Sequence, residues 1–187
     1  AQPPEFPSFF KRAMERDDKV DWLRVSMEEW DRFYIHFHAM EPISYQEYSA
    51  LQNKWENTLD KPTPMKWVYC IKRHASTGLY NRHKARLVAA QSLHRYSIDD
   101  KWSLTLSLDT MRLMLVLACL HDADIQAIDV SGAYLSGKLD PSDPPIFMIP
   151  PAGLDEMGVE PKLPNGEKAC CYVAKSAIYG LQKACKL

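Results

Sequence analysis

The stretch Ile128-Asp129-Val130-Ser131-Gly132-Ala133-Tyr134-Leu135-Ser136-Gly137 combines an acid after an apolar run with small residues and one aromatic ring. The residues before it, Ala123 to Ile128, alternate between apolar and polar side chains, which predicts a β-strand that ends near Asp129. A carboxylate at a strand end can bind a hard divalent cation, and the following Ser-Gly-Ala lets a substrate approach the backbone closely. The same pattern also fits an aspartate that caps a helix or a turn, so the surrounding sequence has to decide between the two.

The length and composition are those of a globular protein. The chain has 187 residues, 46% of them hydrophobic and 25% charged, which suffices for one ordinary domain or two small lobes. No apolar run approaches the roughly 20 residues that cross a bilayer, and the first residues lack the basic and apolar segments of a signal peptide. We therefore expect an intracellular protein with no membrane partner, and leave open whether it is cytoplasmic or nuclear.

Cysteine and histidine spacing does not predict a metal site. The five cysteines form no C-x-x-C pair and have no histidine at zinc-ligand spacing. His36 and His38 could share a metal, but the sequence places no further ligand beside them. We interpret the cysteines as reduced thiols and the two histidines as ordinary side chains.

The charge distribution is uneven, although the net charge is only -1. The segment from Lys61 to Ile98 contains eight Lys or Arg residues and no acid. Such a segment indicates either an anionic partner, such as a polyphosphate or a nucleic acid, or a solvated face that balances acidic helices nearby.

Residue periodicity predicts helices in the first third of the chain and one further helix near its middle. Phe9 to Arg16 and Trp22 to Phe37 carry apolar residues at helical spacing. Ser44-Tyr45-Gln46-Glu47 has the Ser-x-x-Glu form of a capping box. Asp109 is predicted to cap an apolar core helix over Thr110 to Cys119.

The remaining elements are predicted to be strands. Lys66 to Lys72 and Arg86 to Val88 flank a turn that contains Gly78, which predicts a β-hairpin. Ile146 to Ile149 and Ala169 to Val173 are predicted as further strands. Cations at the tip and flanks of the hairpin could close over a triphosphate or follow a nucleic-acid backbone, and they are Lys72, Arg73, Arg82, Lys84 and Arg86.

Four blocks of the sequence resemble blocks of the reverse transcriptase of copia-type retrotransposons, and they occur in the same order and at similar spacings. The family's blocks run approximately as KWVFKIK, KARLVA, QMDVKTAFLNG and LYGLKQA, and the segment from Ile146 to Pro151 is similar to its IYMEQPPG segment. An unrelated small α+β protein would match all four blocks only by coincidence. The matching blocks are Lys66 to Lys72, Lys84 to Ala89, Ile128 to Gly137 and Ile178 to Ala184.

The resemblance implies an α+β fold, namely the fingers and part of the palm of a right-hand polymerase. Its expected parts are N-terminal helices, a basic β-hairpin, and an antiparallel palm sheet packed on a helix. On this basis residues 1–60 form the helical segment, residues 61–108 the fingers-like hairpin region, and residues 109–187 a partial palm.

The resemblance also implies nucleotidyl transfer to a primer 3′-hydroxyl, assisted by two Mg²⁺ or Mn²⁺ ions. Asp129 matches the first metal-binding aspartate, and the carbonyl of Val130 would assist it. Tyr134 falls where the family has an aromatic residue under the incoming sugar, although a ring in the palm core is the alternative. Gln182 would help position nucleotide and template, but the order here is Leu-Gln-Lys-Ala where the family has Leu-Lys-Gln-Ala.

The basic positions of the hairpin carry over in the same way. Lys72, Lys84 and Arg86 would contact the incoming triphosphate or the template backbone. The wider nucleic-acid surface would include Lys66, Arg73 and Arg82. The expected partners are therefore an RNA or DNA template-primer and a deoxynucleoside triphosphate.

The family's Tyr-x-Asp-Asp block, its thumb and its ribonuclease H domain do not occur within these 187 residues. One carboxylate cannot hold two hard cations, because each needs about six oxygen ligands. We therefore expect a reverse transcriptase fragment that is inactive alone, to which a protein partner could supply the missing half of the palm. The alternative is a nucleic-acid-binding or structural module retained from a retrotransposon.

Overall fold

The computed structural model describes residues 5–55, 59, 61–90 and 106–181. Its helices are α1 Phe10–Met14, α2 Lys19–Asp31, α3 Tyr45–Lys54, α4 Leu108–Leu120 and α5 Ala133–Ser136, and a π-helical turn at Arg32–His36 continues α2. Its strands are β1 Met40–Ile43, β2 Thr63–Arg73, β3 Tyr80–Ala89, β4 Phe147–Ile149 and β5 Cys171–Ala174. Within these ranges no helix is both long and apolar enough to cross a bilayer.

The five strands form one mixed sheet in the order β1-β5-β4-β2-β3. Most neighbours are antiparallel, but β2 runs parallel to β4 through Thr63, opposite Met148, and Pro64, opposite Ile149. The predicted sheet was antiparallel, and this part of the prediction is wrong. Parallel strands need a long connection, and the many residues between β2 and β4 provide one that local patterns do not reveal.

The core lies between α2 and the inner face of the β2–β3 hairpin. Trp22, Val25, Ser26 and Trp30 are buried at helical spacing on α2. Every second residue at the start of β2 is buried as well, because side chains of a strand alternate between its two faces. The helix and the hairpin therefore bury each other's apolar faces, which leaves the outer face of the hairpin exposed.

Several predicted elements are confirmed. β2 and β3 pair from Met65, opposite Ala89, to Arg73, opposite Tyr80. The predicted strands near Ile146 and Ala169 are present as β4 and β5. The capping box at the start of α3 is complete, since the Ser44 hydroxyl accepts from the Glu47 N–H at 3.1 Å and the Glu47 carboxylate accepts from the Ser44 N–H at 2.8 Å.

The region around α4 departs from the sequence prediction in three ways. Ser107 rather than Asp109 caps the helix, since its hydroxyl accepts from the Thr110 N–H at 3.1 Å. Both residue types cap helices well, so sequence alone did not separate them. Residues Ala123 to Val130 form no strand and are exposed. A predicted strand becomes one only where a neighbouring strand supplies hydrogen bonds, and no strand in the described part of the chain pairs with this segment.

The prediction of α4 as a core helix, packed under the sheet, is also wrong. Its apolar side chains are exposed, from 40% at Leu115 and Leu117 to 74% at Leu120. Hydrophobicity predicts that a helix is suited to burial, but it does not identify the surface that buries it.

Candidate nucleic-acid interface and active-site loop

The outer face of the β2–β3 hairpin carries five cationic side chains. Residues paired directly across an antiparallel ladder share a face, and so do residues two apart along a strand. This rule gathers the cations of both strands onto the face opposite the core. The pairs on this outer face are Lys66–Val88, Val68–Arg86, Cys70–Lys84 and Lys72–Arg82.

The cations of this face repel one another. Burial lowers the pKa of the Lys84 ammonium, and the neighbouring charges of Arg86, Lys72 and Arg82 lower it further. No acid occurs in the sequence between Lys61 and Ile98 to offset them. An anion bound to this face would relieve the repulsion, as expected for a phosphate-binding surface.

Arg73 lies apart from the other five, at the tip of the hairpin. Its guanidinium pairs with the Glu5 carboxylate and donates to the Gly78 carbonyl at 3.1 Å. An N-terminal acid therefore already neutralises part of its charge. This contact separates Arg73 from the outer-face cations with which the sequence had grouped it.

Contacts from α2 and the residue before it hold the hairpin in place. On the inner face, His83 Nε2 lies 3.0 Å from the Asp18 carboxylate, and its Nδ1 lies 2.8 Å from the Tyr80 hydroxyl. The Trp22 ring meets the His83 ring edge-on at 4.3 Å between centroids. Sequence analysis missed this cluster because Asp18 and His83 are 65 residues apart and neither belongs to a local motif.

The outer edge of β3, the last strand of the sheet, is held by α2. Glu29 of α2 accepts a 3.4 Å hydrogen bond from the Leu87 N–H. Burial raises the pKa of this carboxyl, while that bond and the nearby charges of Arg32, Lys84 and Arg86 act in the opposite direction. The helix therefore fixes the strand that carries three of the five outer-face cations, namely Arg82, Lys84 and Arg86.

Three of the four family-like blocks meet around Tyr179. The Arg86 guanidinium lies 5.9 Å from the centroid of the Tyr179 ring. The Tyr134 ring meets the same ring at 5.3 Å in an edge-to-face arrangement. The Ala89 N–H donates to the Tyr179 carbonyl at 2.7 Å. Tyr179 was missed as a site residue, although its place in the Tyr-Gly-Leu block was an available signal.

The loop that carries Asp129 is anchored on the π-helical turn. Gly132 adopts a left-handed φ of 70° and lies so close to Phe37 that a Cβ would be 2.5 Å from the ring. Lys138, just after the loop, donates to the Phe37 carbonyl at 3.2 Å and to the Ser176 hydroxyl at 3.1 Å. π-Helical turns are rare and recur at functional sites. Here the turn fixes the position of the loop.

Asp129 itself is exposed on an irregular segment and not at the end of a strand. The Val130 carbonyl already accepts from the Ala133 N–H at 3.3 Å. Nowhere in the described ranges do three His, Cys, Asp or Glu side chains group so that they could hold a metal ion. These residues alone do not fit a two-metal site, so we assign no catalytic step through a metal. Gln182 lies outside the described residues.

A family model described as "Reverse transcriptase (RNA-dependent DNA polymerase)" matches residues 49–187. Similar curated proteins include the retrovirus-related Pol polyprotein from transposon TNT 1-94 of Nicotiana tabacum, 30% identical over 126 residues. Two others are the retrovirus-related Pol polyproteins from transposons RE1 and RE2 of Arabidopsis thaliana, each 31% identical, over 123 and 121 residues. No solved structure matches the chain significantly.

These matches cover most of this chain but little of the relatives. The aligned segments take up 66%, 64% and 64% of this chain, and 9%, 7% and 8% of the TNT 1-94, RE1 and RE2 proteins. The chain therefore spans less than about a tenth of the length of these curated relatives.

Proposed function

We propose, because this chain belongs to the reverse transcriptase (RNA-dependent DNA polymerase) family of copia-type retrotransposons, that it forms the fingers and the first part of the palm of an RNA-directed DNA polymerase. In this proposal the outer face of the β2–β3 hairpin binds the phosphates of the template-primer and of the incoming nucleotide. The family membership supports nucleic acid as the class of substrate.

The observation that carries the proposal is the single cationic face of the hairpin. Period-two alternation places Lys66, Lys72, Arg82, Lys84 and Arg86 on one surface, and α2 supports that surface from behind. An ordinary solvated face would intersperse acids among these cations to limit repulsion. The two strands contribute no acid to this face, and Glu29 of α2 approaches Lys84 and Arg86 only from the edge of β3, so a polyanion is the natural complement of the remaining charge.

We assign separate roles to the cations of this surface and to Arg73 at the hairpin tip beside it. Lys72, Lys84 and Arg86 contact the triphosphate or the template backbone, while Lys66, Arg82 and the tip residue Arg73 extend the nucleic-acid contact. Tyr134 packs under the incoming sugar. This role is supported by its 37% exposure and by its contact with Tyr179, which lies in turn beside Arg86.

We further propose that Asp129 supplies one carboxylate of the family's metal site, for Mg²⁺ or Mn²⁺. Further ligands would have to come from outside the described residues, since these contain no group of three His, Cys, Asp or Glu side chains that could hold a metal ion. The protein alone is then expected to bind template-primer without sustained primer extension on poly(rA)/oligo(dT). Sustained synthesis by the purified chain would overturn the expected inactivity but not the binding.

Binding can be tested by fluorescence anisotropy with a labelled template-primer duplex at several KCl concentrations. Affinity should fall steeply with salt, because bound cations release counterions from the phosphates. The plot of log K against log salt has a negative slope. In the double variant Lys84→Gln/Arg86→Gln this slope should become shallower by about 2, since each lost phosphate contact removes about 1.

A matched control removes the same two residue types elsewhere. Lys11→Gln/Arg12→Gln changes the charge equally, on the exposed side of the short helix α1. It should leave the slope unchanged. Salt-independent binding, or an equal loss of slope in both double variants, would rule out the hairpin face as the nucleic-acid site.

A further inference from the structure

A chain of hydrogen bonds joins Tyr80, His83 and Asp18 near the tip of the β2–β3 hairpin. The Tyr80 hydroxyl lies 2.8 Å from Nδ1 of His83, and Nε2 of the same ring lies 3.0 Å from the Asp18 carboxylate. A hydroxyl bonded to an imidazole that a carboxylate orients in turn is the arrangement of a nucleophile with its general base. The proposed polymerase function uses none of these three side chains.

A β-bulge brings Tyr80 and His83 onto the same face of β3. The register of the hairpin shifts here, so that Asn81 is an extra residue between the paired positions Tyr80 and Arg82. In a regular strand, residues three apart point to opposite faces. Bulges redirect side chains and are frequent beside active sites. The bulge therefore makes the contact between the hydroxyl and the ring possible.

The charge of Asp18 determines which nitrogen of His83 carries the proton. Arg16 donates to the Asp18 carboxylate at 2.8 Å, and this bond lowers the pKa of Asp18 to about 2, with His83 adding to the effect although burial opposes it. An ionised carboxylate only accepts hydrogen bonds, so Nε2 donates to it. In the neutral ring Nδ1 is then the acceptor for the Tyr80 O–H, which is the tautomer that a general base requires.

The base is buried, whereas the hydroxyl-bearing residue is open to solvent. His83 is 8% exposed, and the edge-on contact with the Trp22 ring restricts its orientation. Tyr80 is 52% exposed. A reagent can therefore approach Tyr80 from solvent while the imidazole keeps the orientation in which it accepts the proton.

The charges around this cluster narrow the class of reagent. The two nearby guanidinium groups are each paired with a carboxylate, Arg16 with Asp18 and Arg73 with Glu5. The surroundings of Tyr80 on this face are therefore close to neutral, unlike the outer face of the hairpin. An uncharged electrophile fits such a site better than a polyphosphate does.

We propose that Tyr80 is a nucleophile activated by His83 and Asp18, and that it accepts an acyl group from an activated carboxylic ester. The Tyr80 oxygen forms a bond to the ester carbonyl carbon while its proton passes to Nδ1 of His83. The bond from that carbon to the leaving oxygen then breaks, and His83 returns the proton to that oxygen. The products are an acyl ester of Tyr80 and a free alcohol, and Asp18 acts as a positioning residue.

This proposal is independent of the proposed polymerase function, because it uses none of the five outer-face cations or Asp129. Reaction of the full 187-residue chain with p-nitrophenyl acetate tests it. We expect a burst of about one equivalent of p-nitrophenol, with the acetyl group located on Tyr80 by peptide mass spectrometry. Tyr45 is the internal control, since it is 72% exposed and so more accessible than Tyr80. Tyr80 should react at least about 100-fold faster than Tyr45, and equal rates would overturn the proposal.

Variants separate activation from accessibility. Tyr80→Phe removes the nucleophile at an exposed position and should abolish the burst, whereas the matched control Tyr45→Phe should leave it unchanged. His83→Asn keeps a polar group that can bond the Tyr80 hydroxyl but cannot take its proton, so acetylation of Tyr80 should slow about 100-fold. A burst that survives in Tyr80→Phe would refute the proposal.

The positioning role of Asp18 is tested by the same reaction. Asp18→Asn should slow acetylation of Tyr80, because the imidazole loses the carboxylate that fixes its tautomer. The rate at Tyr45 should not change in this variant or in His83→Asn, which distinguishes a lost base from a disturbed fold. An unchanged rate at Tyr80 in His83→Asn would show that the imidazole does not activate the hydroxyl.

Discussion

Gly180 lies against the carbonyl oxygen of Ala89 with no room between them for a side chain. The same junction contains the 2.7 Å hydrogen bond from the Ala89 N–H to the Tyr179 carbonyl. It joins the end of the cationic hairpin to the segment after β5, and so holds Arg86 beside Tyr179. One glycine therefore determines how closely two of the family-like blocks approach.

The first prediction concerns this glycine. Gly180→Ala should lower the free energy of unfolding by about 3 kcal/mol or more, because its φ of +88° disfavours a side chain and the new Cβ would overlap backbone that cannot rotate away. Urea unfolding followed by tryptophan fluorescence measures the change. Gly166→Ala is the matched control, since Gly166 has a φ of +86° and nothing within 4 Å.

The control separates strain from overlap. Gly166→Ala should cost only the backbone penalty of about 1–2 kcal/mol. Equal losses for the two variants would mean that the close approach of Gly180 to Ala89 adds nothing.

The second prediction concerns pH and the Asp18 carboxylate. The hydrogen bond from Arg16 lowers the pKa of Asp18 to about 2, and the bond from His83 adds to this effect although burial opposes it. Because the folded-state pKa lies below the unfolded value near 3.8, the stabilisation is fully present above about pH 5 and is lost as the pH falls towards 2. Asp18→Asn should cost about 1–2 kcal/mol at pH 7 and much less near pH 2.

Unfolding of both proteins in urea at a series of pH values tests this prediction. Asp17→Asn removes the same charge from the exposed neighbouring position and should change stability by less than about 0.5 kcal/mol. A loss for Asp18→Asn that stays constant from pH 7 to pH 2 would contradict the linkage.

The third prediction concerns the buried pair Ser26 and Tyr69. The Ser26 hydroxyl donates to the Trp22 carbonyl at 2.8 Å and lies 3.0 Å from the Tyr69 hydroxyl. Tyr69→Phe leaves Ser26 bonded and should cost about 1 kcal/mol, whereas Ser26→Ala leaves the Tyr69 hydroxyl buried without a partner and should cost about 1–3 kcal/mol. Comparison of the two unfolding free energies checks the order.

Alkaline titration gives an independent measurement on the same pair. Burial raises the pKa of Tyr69 to about 12, above the ordinary value of 10.0. The neutral phenol is therefore favoured in the folded state, and its contribution is present below pH 10 and lost as the pH rises towards 12. Tyr69→Phe should reduce the loss of stability between these pH values, and Ser26→Ala should retain most of it.

The fourth prediction concerns the stacking of Arg86 on Tyr179. A double-mutant cycle with Arg86→Gln and Tyr179→Leu should give a coupling of about 0.5–1 kcal/mol in unfolding free energy, as expected for a partly exposed cation–π contact. The control cycle pairs Arg86→Gln with Tyr80→Leu, a tyrosine at the other end of β3. Equal coupling energies in the two cycles would mean that the contact between Arg86 and Tyr179 makes no specific contribution to stability.

Local sequence patterns were sufficient for the hairpin and the capping box. The β-forming residues of Lys66 to Lys72, together with the turn at Gly78, predicted the strand and the hairpin, because both depend on neighbours along the chain. The Ser44–Glu47 capping box closes over four residues and needs no distant partner. The order of the four blocks was also sufficient for the family.

The sequence did not reveal which surfaces meet. The apolar pattern of Ala123 to Ile128 was compatible with a strand, yet no described strand pairs with it. The apolar character of α4 predicted burial but could not name the surface that would cover it. The contact of Asp18 with His83 joins residues 65 positions apart that share no motif.

The sequence by itself therefore determined the periodic elements, the acid-free cationic segment and the family of the chain. Only the tertiary structure decided that the cations of both strands share one face, that Tyr179 lies between Arg86 and Tyr134, and that Asp129 lies on an exposed loop. The physical reason is range: alternation and capping depend on neighbours along the chain, whereas burial, ion pairing and ring contacts depend on which distant segments pack together.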